Sequence, residues 1–405
     1  MWDGMFVYQE PRDLGWLSSL AAATSPRAIG LVIEVSQKAL LTEEAGMGLS
    51  AFMQPNAHRI GKLHITTGFD DTEYGNTLHP SLLREAPGVS LFLSIFELPL
   101  PNLSSIHIDL GFTVRIPQLF GGPTCNSLRS IEMHHASLER VEFWKKGFLL
   151  ECLTLDVDAL EAWNGSLHQI LSLQSTLQEL HLTLPSSYTH RGTEALHFPN
   201  LKLFRFTAIS YILLTTLTMP ALQCLYLKPF DLDEANPENM EEIAALKTFL
   251  SLHASTLKAL HYMPINPDVG MTGARLRVVD LKPLILPALS TAVLLVYGQF
   301  SYSFRAMHYP NLEELNVEVV GETPSSYLFD FLERNANMLR SLHINGSYPW
   351  YIKSPILRAS SEAALLPTAA GLRFQICLRR RDIWSCWICP ATSRCAFEWG
   401  DSPRS

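Results

Sequence analysis

The sequence predicts an α/β solenoid, a stack of repeats with parallel strands on one side and helices or loops on the other. A short apolar phrase recurs along the chain: an apolar residue, two variable residues, a second apolar residue, one variable residue and a third apolar residue. Between Leu103 and Leu339 successive phrases begin 21 to 35 residues apart, and Pro with Asn or Ala often stands just before them. Such recurrence is typical of a repeat architecture, in which each repeat contacts only its neighbours.

Each phrase predicts one short strand. Its last two apolar positions point to one face of the strand, and the residue between them points to the other face. Stacked in parallel, such strands bury the first face and line a hollow with the second. The spacing brackets the leucine-rich-repeat period of roughly 20 to 29 residues. The fold class is therefore an irregular leucine-rich-repeat-like solenoid, or horseshoe, with parallel strands lining the concave face and helices or loops on the convex face. The phrases are Ile60, Leu63, Ile65; Leu103, Ile106, Ile108; Leu128, Ile131, Met133; Leu150, Leu153, Leu155; Leu177, Leu180, Leu182; Leu201, Phe204, Phe206; Leu222, Leu225, Leu227; Leu257, Leu260, Tyr262; Leu289, Ala292, Leu294; Leu312, Leu315, Val317; and Leu339, Leu342, Ile344.

The repeats divide the chain into three predicted parts: an N-terminal capping or linker segment (1–57), the solenoid as one elongated body (58–346), and an irregular, poorly ordered C-terminal tail (347–405). The apolar run from Ala28 to Val35 predicts a buried strand that starts the stack. Residues 87–92 echo the phrase but lie too close to Leu103 for a complete repeat, so the sequence leaves their structure open.

Helices are predicted on the return side of three repeats. Asn236 can cap a helix with Pro237 in its first turn, Ser326 can cap another, and a third covers about 167–173. Regular leucine-rich repeats also place Asn or Cys three residues after the last apolar strand position, where the side chain satisfies the turn. That ladder is missing, so we expect each turn to be closed differently. The positions hold Gly111, Ala136, Asp158, Pro185, Ile209 and Phe230.

Composition restricts the location and the partners. Apolar residues make up 47% of the chain and charged residues 17%, which supplies a continuous core. The formal net charge of -8 argues against nucleic acid or an anionic membrane as the main partner, because both require a concentrated basic surface. No apolar stretch reaches the ~18 residues that cross a bilayer, and residues 1–10 lack the pattern of a secretory signal. We therefore expect a cytoplasmic or nuclear protein with reduced cysteines.

The residue in the middle of each strand should face the hollow and meet a partner. Five of the eleven are His, which titrates near neutral pH and binds metals. We expect no two of these histidines on adjacent strands, and the sequence therefore favours a polar lining, with protein contacts from some residues, over a metal site. The outward positions are His64, His107, Glu132, Thr154, His181, Arg205, Tyr226, His261, Val293, Asn316 and His343, and all except Thr154 and Val293 are candidate protein-binding residues.

Other chemistry-bearing residues are less convincing. His134 and His135 with Glu139 cannot converge on one ligand, because neighbouring strand residues face opposite sides. The tail contains four cysteines: Cys377, Cys386, Cys389 and Cys395. Cys386 and Cys389 form a Cys-x-x-Cys pair, which is half of a common structural zinc site, but the other two cysteines are not paired in this way, and the sequence therefore favours unpaired thiols. No phosphate loop, nucleophile elbow or metalloprotease motif occurs. We therefore predict no catalytic, cofactor-binding or metal-binding residue, no cofactor, and a protein that is not an enzyme.

Three stretches resemble a known family: Phe-Pro-Asn-Leu-Lys-Leu-Phe at 198–204, Tyr-Pro-Asn-Leu-Glu-Glu-Leu at 309–315, and Ile-Pro-Gln-Leu-Phe-Gly-Gly at 116–122. Across about residues 10–345 the chain resembles the F-box proteins with irregular leucine-rich repeats found in mushroom-forming fungi. The resemblance implies a substrate receptor of a cullin-type ubiquitin ligase, whose F-box binds the adaptor and whose repeats hold the protein to be modified.

No F-box is recognisable before the repeats, so we expect the adaptor as a partner only if an F-box lies upstream. The alternative is a free-standing leucine-rich-repeat scaffold with no ubiquitin-ligase link. Both hypotheses place a protein partner on the concave face.

Overall fold

The structure is a computed structural model. It describes residues 4–8, 13–25, 27–36, 43–68, 87–116, 127–138, 149–156, 171, 175–184, 195–208, 211–229, 239–262, 284–297, 307–320, 335, 338–346, 373–380 and 383–389. The chain divides into two compact units: Met1–Ala208 with Thr216–Ala221, and Ile209–Thr215 with Leu222–Ser405. The sequence predicted one body because the apolar phrase is the same on both sides of this division.

The first unit is built on a parallel sheet. Its described strands are β1 (Gly4–Tyr8), β2 (Ile29–Ser36), β3 (Ile60–Gly68), β4 (Ser105–Ile116), β5 (Ser130–Leu138), β6 (Cys152–Asp156), β7 (Glu179–Thr183), β8 (Leu196–His197), β9 (Leu203–Ala208) and β10 (Leu217–Thr218). Strands β1 to β7 and then β9 pair in chain order, and β8 and β10 form a separate parallel pair. Parallel neighbours need a crossover connection, so chain order throughout the sheet is the arrangement of a repeat solenoid.

The second unit repeats this arrangement. Its described strands are β11 (Cys224–Pro229), β12 (Ala259–Tyr262), β13 (Leu284–Ile285), β14 (Thr291–Tyr297), β15 (Met307–His308), β16 (Glu314–Val320), β17 (Ser341–Gly346), β18 (Arg373–Arg380) and β19 (Ile383–Cys389). Strands β11, β12, β14, β16, β17 and β18 are parallel in that order, β19 pairs antiparallel with β18, and β13 pairs with β15. Both units confirm the predicted class of an α/β, leucine-rich-repeat-like solenoid.

Helices account for a smaller part of the described chain. They are α1 (Asp13–Ala23), α2 (Glu43–Asn56), α3 (Pro87–Leu93) and α4 (Asn239–Leu252), with 3-10 helices at Ser94–Glu97 and Ile212–Thr216. Helix α4 confirms the helix predicted after Asn236, since Leu246 and Leu250 lie buried on one face. In the predicted helix at 167–173 only Leu171 is described, and it is helical and buried. The helix predicted from Ser326 lies outside the described residues. Among the helices described, none combines the length and the apolar character needed to cross a membrane.

The recurring phrase forms the core of each unit. Among the phrase residues whose side chains are described, all are buried except Tyr262 and Leu339, which are half-buried. Strand pairing keeps equivalent positions adjacent, as with Leu315 beside Leu342. Burying a Leu side chain contributes about 1.5 to 3 kcal/mol, so these apolar rows supply the main stabilisation. The strand predicted at 28–35 is confirmed as β2, and β1 precedes it.

The start of each phrase is held to the preceding phrase by backbone hydrogen bonds. The residue after the first apolar position donates its N–H to the equivalent carbonyl one repeat earlier, as from Ser104 to Gly61 at 2.8 Å. The row continues at 2.7 to 2.9 Å from Arg129 to Ser104, Glu151 to Arg129, Gln178 to Glu151, Lys202 to Gln178, Lys258 to Gln223, Ser290 to Lys258, Glu313 to Ser290 and Arg340 to Glu313. These bonds fix the register of neighbouring strands. Gly111 and Ala136, expected in turns, lie instead within the long strands β4 and β5.

An asparagine before the phrase adds a side-chain bond between repeats. Asn102, Asn200 and Asn311 each follow a Pro and precede the first Leu of a phrase. Their Nδ2 groups donate to the carbonyl oxygens of His58, Ser175 and Pro287, at 2.6, 3.3 and 2.7 Å. The Pro-Asn pair that announces the phrase in the sequence therefore has a structural role, because its amide ties one repeat to the repeat before it.

Replacing Asn311 by Ala is expected to lower the free energy of unfolding by about 1 kcal/mol, since the carbonyl of Pro287 loses its donor. Chemical denaturation measures the change as a lower midpoint with an unchanged slope. Pro310→Ala, one residue earlier, retains the amide and is the control. If Asn311→Ala leaves the denaturation midpoint unchanged, water replaces the hydrogen bond with no net loss of stability.

Residues 87–92, which the sequence left open, form helix α3 and not a strand. Val89 and Phe92 of this helix are buried. A Cβ at Gly46 of α2 would lie 2.8 Å from the backbone nitrogen of Phe92, so Gly46 permits α2 and α3 to pack closely. Because the segment is helical, β4 follows β3 directly in the sheet.

Two strands lie in the segment that the sequence assigned to an irregular tail. Strand β18 pairs in parallel with β17, placing Phe374 beside Leu342, and β19 returns antiparallel to it. Phe374, Ile376 and Leu378 alternate with other residues at the two-residue period of a strand. The prediction of an irregular tail was therefore wrong for 373–380 and 383–389, and the rest of 347–405 lies outside the described residues.

Candidate functional site

The outward face of each sheet carries the predicted partner-binding residues in register. In the first unit the row across β3 to β7 and β9 consists of His64, His107, Glu132, Thr154, His181 and Arg205. In the second unit the row across β11, β12, β14, β16 and β17 consists of Tyr226, His261, Val293, Asn316 and His343. Thr154 is buried, Arg205 is exposed and the others are half-buried. The structure thus places the predicted residues in one row per unit, and their role in binding stays a prediction.

Two histidines of the first row lie on adjacent strands. His64 of β3 stands opposite His107 of β4, and their rings stack with centroids 4.0 Å apart and planes 2° from parallel. The expectation that no two outward histidines occupy adjacent strands was therefore wrong. His64 and His107 already belong to consecutive phrases of the sequence, and the intervening segment forms α3 and adds no strand between β3 and β4.

Glu132 lies at the centre of a polar cluster on this face. Its Oε2 is 2.8 Å from Nδ1 of His107 on the neighbouring strand, and its Oε1 is 3.0 Å from Nε2 of His134. Two residues along one strand share a face, so Glu132 and His134 both point outward from β5. We call these three residues, His107, Glu132 and His134, the triad.

A second outward row, two residues further along the strands, completes the surroundings of the triad. It contains Asp109 opposite His134 in the β4–β5 pairing, and Asp156 at the end of β6. Nδ1 of His134 lies 3.6 Å from Oδ2 of Asp156. Sequence reasoning considered His134 only with His135 and Glu139 and rejected that cluster, and it missed Asp156, because it counted one outward residue per strand. Applying the two-residue alternation once more along β5 and β6 would have found both.

The carboxylates determine the charge of the triad. The neighbouring Asp156, and next to it Glu132, raise the pKa of His134 to about 10, against the opposing effect of burial. The hydrogen bonds from His107 and His134 hold the pKa of Glu132 far below its ordinary value. Burial, and then the adjacent His107, lower the pKa of His64. At neutral pH, His134 is therefore a cation beside an ionised Glu132, and His64 is neutral.

His181 lies on the same face, two strands from Glu132. Burial, and then Arg205, lower its pKa, so its imidazole is neutral at pH 7. Its Nε2 is buried and has no hydrogen-bond partner among the described residues. An unsatisfied buried nitrogen costs free energy, and a partner molecule that supplied a hydrogen bond here would recover it.

The second unit has its own aromatic pair on the outward face. The rings of Tyr226 on β11 and His261 on β12 stack with centroids 4.0 Å apart and planes at 19°. Both side chains are half-buried, so they present a flat, partly apolar surface to solvent. Stacked rings are rigid, and ordering them against a partner therefore costs little entropy.

The triad has a donor set that can hold a metal ion. Within the described residues, one ligand atom each from His107, Glu132 and His134 lies within 4.8 Å of the others. The sequence disfavoured a metal site because its outward histidines were expected to lack histidine neighbours, and the structure contradicts that expectation. In the tail, Cys377 and Cys386 stand opposite each other in the β18–β19 pairing, but the tail cysteine side chains lie outside those described.

Comparisons with known proteins add little to this geometry. No family model matches the chain, and no curated protein matches it. Among solved structures, the chain is similar to one described as the crystal structure of the TLR13–ssRNA13 complex, with 13% sequence identity and a TM-score of 0.42. The match covers 81% of this chain and 40% of that chain, so this chain spans less than half of its length. The fold assignment rests on the order and pairing of the strands in each unit.

Proposed function

We propose that this chain is a protein-binding module that receives its partner on the outward face of its sheets and carries out no reaction of its own. The observation that supports this most is the in-register row of imidazole, aromatic and charged side chains in each unit. The opposite face of the same strands is filled by buried apolar residues, so the outward row does not take part in packing the core.

The chemistry of the rows favours a protein as the partner. Half-buried ring side chains such as Tyr226 and His261 are the type of group that anchors protein interfaces. Arg205 adds an exposed charge in the first unit, where it can fix the orientation of a partner. The chain as a whole carries a net charge of -8, which opposes the approach of a polyanion.

The resemblance to fungal F-box proteins with irregular repeats supports a more specific proposal. The module would be the substrate-recognition part of a cullin-type ubiquitin-ligase receptor, and the bound protein would be the one to be modified. The second candidate is a scaffold with no ligase link, which the same outward rows would serve equally well.

Loss of the aromatic pair should remove the partner. We expect Tyr226→Ala combined with His261→Ala to reduce the captured partner at least about tenfold, because anchoring rings contribute about 2 kcal/mol or more. The measurement is affinity capture of the tagged chain from its own cells, with quantitative mass spectrometry. Leu252→Ala on α4 is the control, since Leu252 is an exposed apolar residue on a helix and away from the row.

The same capture separates the two candidates. A cullin-ligase adaptor that accompanies the parent and both variants would support the receptor. A partner lost with the aromatic pair, without any adaptor, would support the scaffold. Equal capture by the parent and the aromatic variant, with loss in Leu252→Ala, would contradict binding on the outward face.

A further inference from the structure

We propose that His107, Glu132 and His134 form a binding site for a divalent transition-metal ion of the zinc type on the outward face of the first unit. His107 and Glu132 also belong to the outward row that we propose binds a protein, but uptake of an ion does not depend on that proposal and adds a ligand that the repeat architecture alone does not call for. Two imidazoles and one carboxylate are a donor set that zinc takes in proteins, with a fourth position left for water or another ligand.

The spacing of the ligand atoms suits a tetrahedral ion. Ligands about 2.0 to 2.2 Å from such an ion lie about 3.3 to 3.6 Å from one another. Glu132 oxygens are 2.8 Å from Nδ1 of His107 and 3.0 Å from Nε2 of His134, and all three ligand atoms fall within 4.8 Å. The carboxylate therefore has to move away from both imidazoles to admit the ion, by about half an ångström from Nδ1 of His107, which is the difference between 2.8 Å and the tetrahedral spacing.

The residues around the triad are placed as outer partners of metal ligands. His134 would bind through Nε2 after releasing the proton of that nitrogen to solvent. Its Nδ1 faces Oδ2 of Asp156 at 3.6 Å, which is the carboxylate–imidazole–metal arrangement that orients ligating histidines. The other oxygen of Asp156 is buried and has no hydrogen-bond partner among the described residues. His64 stacks on the His107 ring and holds its plane. These contacts preorganise both imidazoles.

The triad is accessible and rigidly mounted. Its side chains are 22% (His107), 42% (Glu132) and 27% (His134) exposed, so an ion can enter from solvent. All three lie in the directly paired part of β4 and β5, where ladder hydrogen bonds hold the backbone. The alternative is that these contacts form only a network of hydrogen-bonded ion pairs. The two hypotheses differ in one observable, which is whether the protein binds one metal ion.

Cobalt and zinc titrations of the full chain test the proposal. We expect one Co²⁺ per chain with the visible absorption of a tetrahedral site, displaced by one Zn²⁺ in competition against a chromophoric chelator. His107→Gln and His134→Gln should each weaken zinc binding by more than about 100-fold. Asp156→Asn should weaken it by roughly 10- to 100-fold, the usual effect of losing an outer partner.

Matched controls separate this site from adventitious binding. His181→Gln removes an outward histidine of the same row that lies outside the triad, and zinc affinity should not change. Circular dichroism verifies that each variant folds, and Glu132→Gln supplies a nearly isosteric second test if a histidine variant does not. A parent that binds no ion, or an ion retained in the double variant His107→Gln with His134→Gln, would overturn the proposal.

Discussion

Leu315→Asp is expected to unfold the repeats around β16 and to cost about 4 kcal/mol or more of stability. Leu315 is 1% exposed and lies between Ala292 and Leu342 on the paired strands. A carboxylate placed there has no partner, and burying an unpaired charge in an apolar row costs several kcal/mol. Since each repeat relies on its neighbours, the damage should extend to β14 and β17. Denaturant unfolding with hydrogen exchange by mass spectrometry measures both effects.

The control moves the same charge by one residue. Asn316→Asp is nearly isosteric and lies on the outward, half-buried face, so it should change stability by less than about 1 kcal/mol. Leu180→Asp repeats the experiment on β7 in the first unit, where Leu180 is fully buried. If Leu315→Asp unfolded at the same denaturant concentration as the parent, the assignment of buried and outward faces would be wrong.

Arg59→Met should destabilise the first unit by about 3 kcal/mol. Arg59 is 7% exposed, and its guanidinium donates to the carbonyls of Ala21 at 2.8 Å and Arg27 at 3.0 Å. It also donates to Thr24 Oγ1 at 3.2 Å and Asn56 Oδ1 at 3.3 Å. The first of these carbonyls belongs to the last turn of α1, where a cation is favoured. Methionine preserves most of the apolar stem but removes all four of these hydrogen bonds, and the Ala21 carbonyl keeps only the weaker donor Thr24 Oγ1 at 3.3 Å.

Two further variants test whether the several donors of the guanidinium, and not its charge alone, stabilise the unit. Arg59→Lys keeps the charge but cannot reach several acceptors at once, so we expect it to recover only part of the loss. Arg27→Met changes an exposed side chain while leaving the Arg27 carbonyl in place, and should be close to neutral. Thermal and denaturant unfolding compare the four proteins. An Arg59→Lys protein as stable as the parent would show that the charge alone matters.

The apolar phrase allowed the strands to be predicted because its information is local. In Leu177, Leu180 and Leu182, the spacing alone determines which side chains share a face, and all three are buried as expected. The outward position of His181 follows from the same alternation. Its alignment with Thr154 and Arg205 follows once every repeat pairs in one register.

The triad could not be derived in the same way because it depends on which strands are neighbours. That His64 meets His107 depends on the helical state of 87–92, which rests on packing against Gly46 and not on the pattern of the segment. Likewise, His134 contacts Glu132 and Asp156 only because β5 and β6 each extend far enough to carry a second outward residue. The asparagine bonds to the preceding repeat also need coordinates, since their acceptors are backbone atoms.

The direction of the hydrogen bonds at the phrase starts has a consequence for synthesis on the ribosome. In every pair of that row the donor belongs to the later residue and the acceptor to the earlier one, as from Arg340 to Glu313. The amides of Asn102, Asn200 and Asn311 follow the same polarity. A nascent repeat therefore finds the carbonyl acceptor for the first bond of its phrase already in place, although other bonds between repeats run the opposite way, as from Leu184 to Thr207. This favours assembly from the N-terminus onward, with each new segment templated by its predecessor.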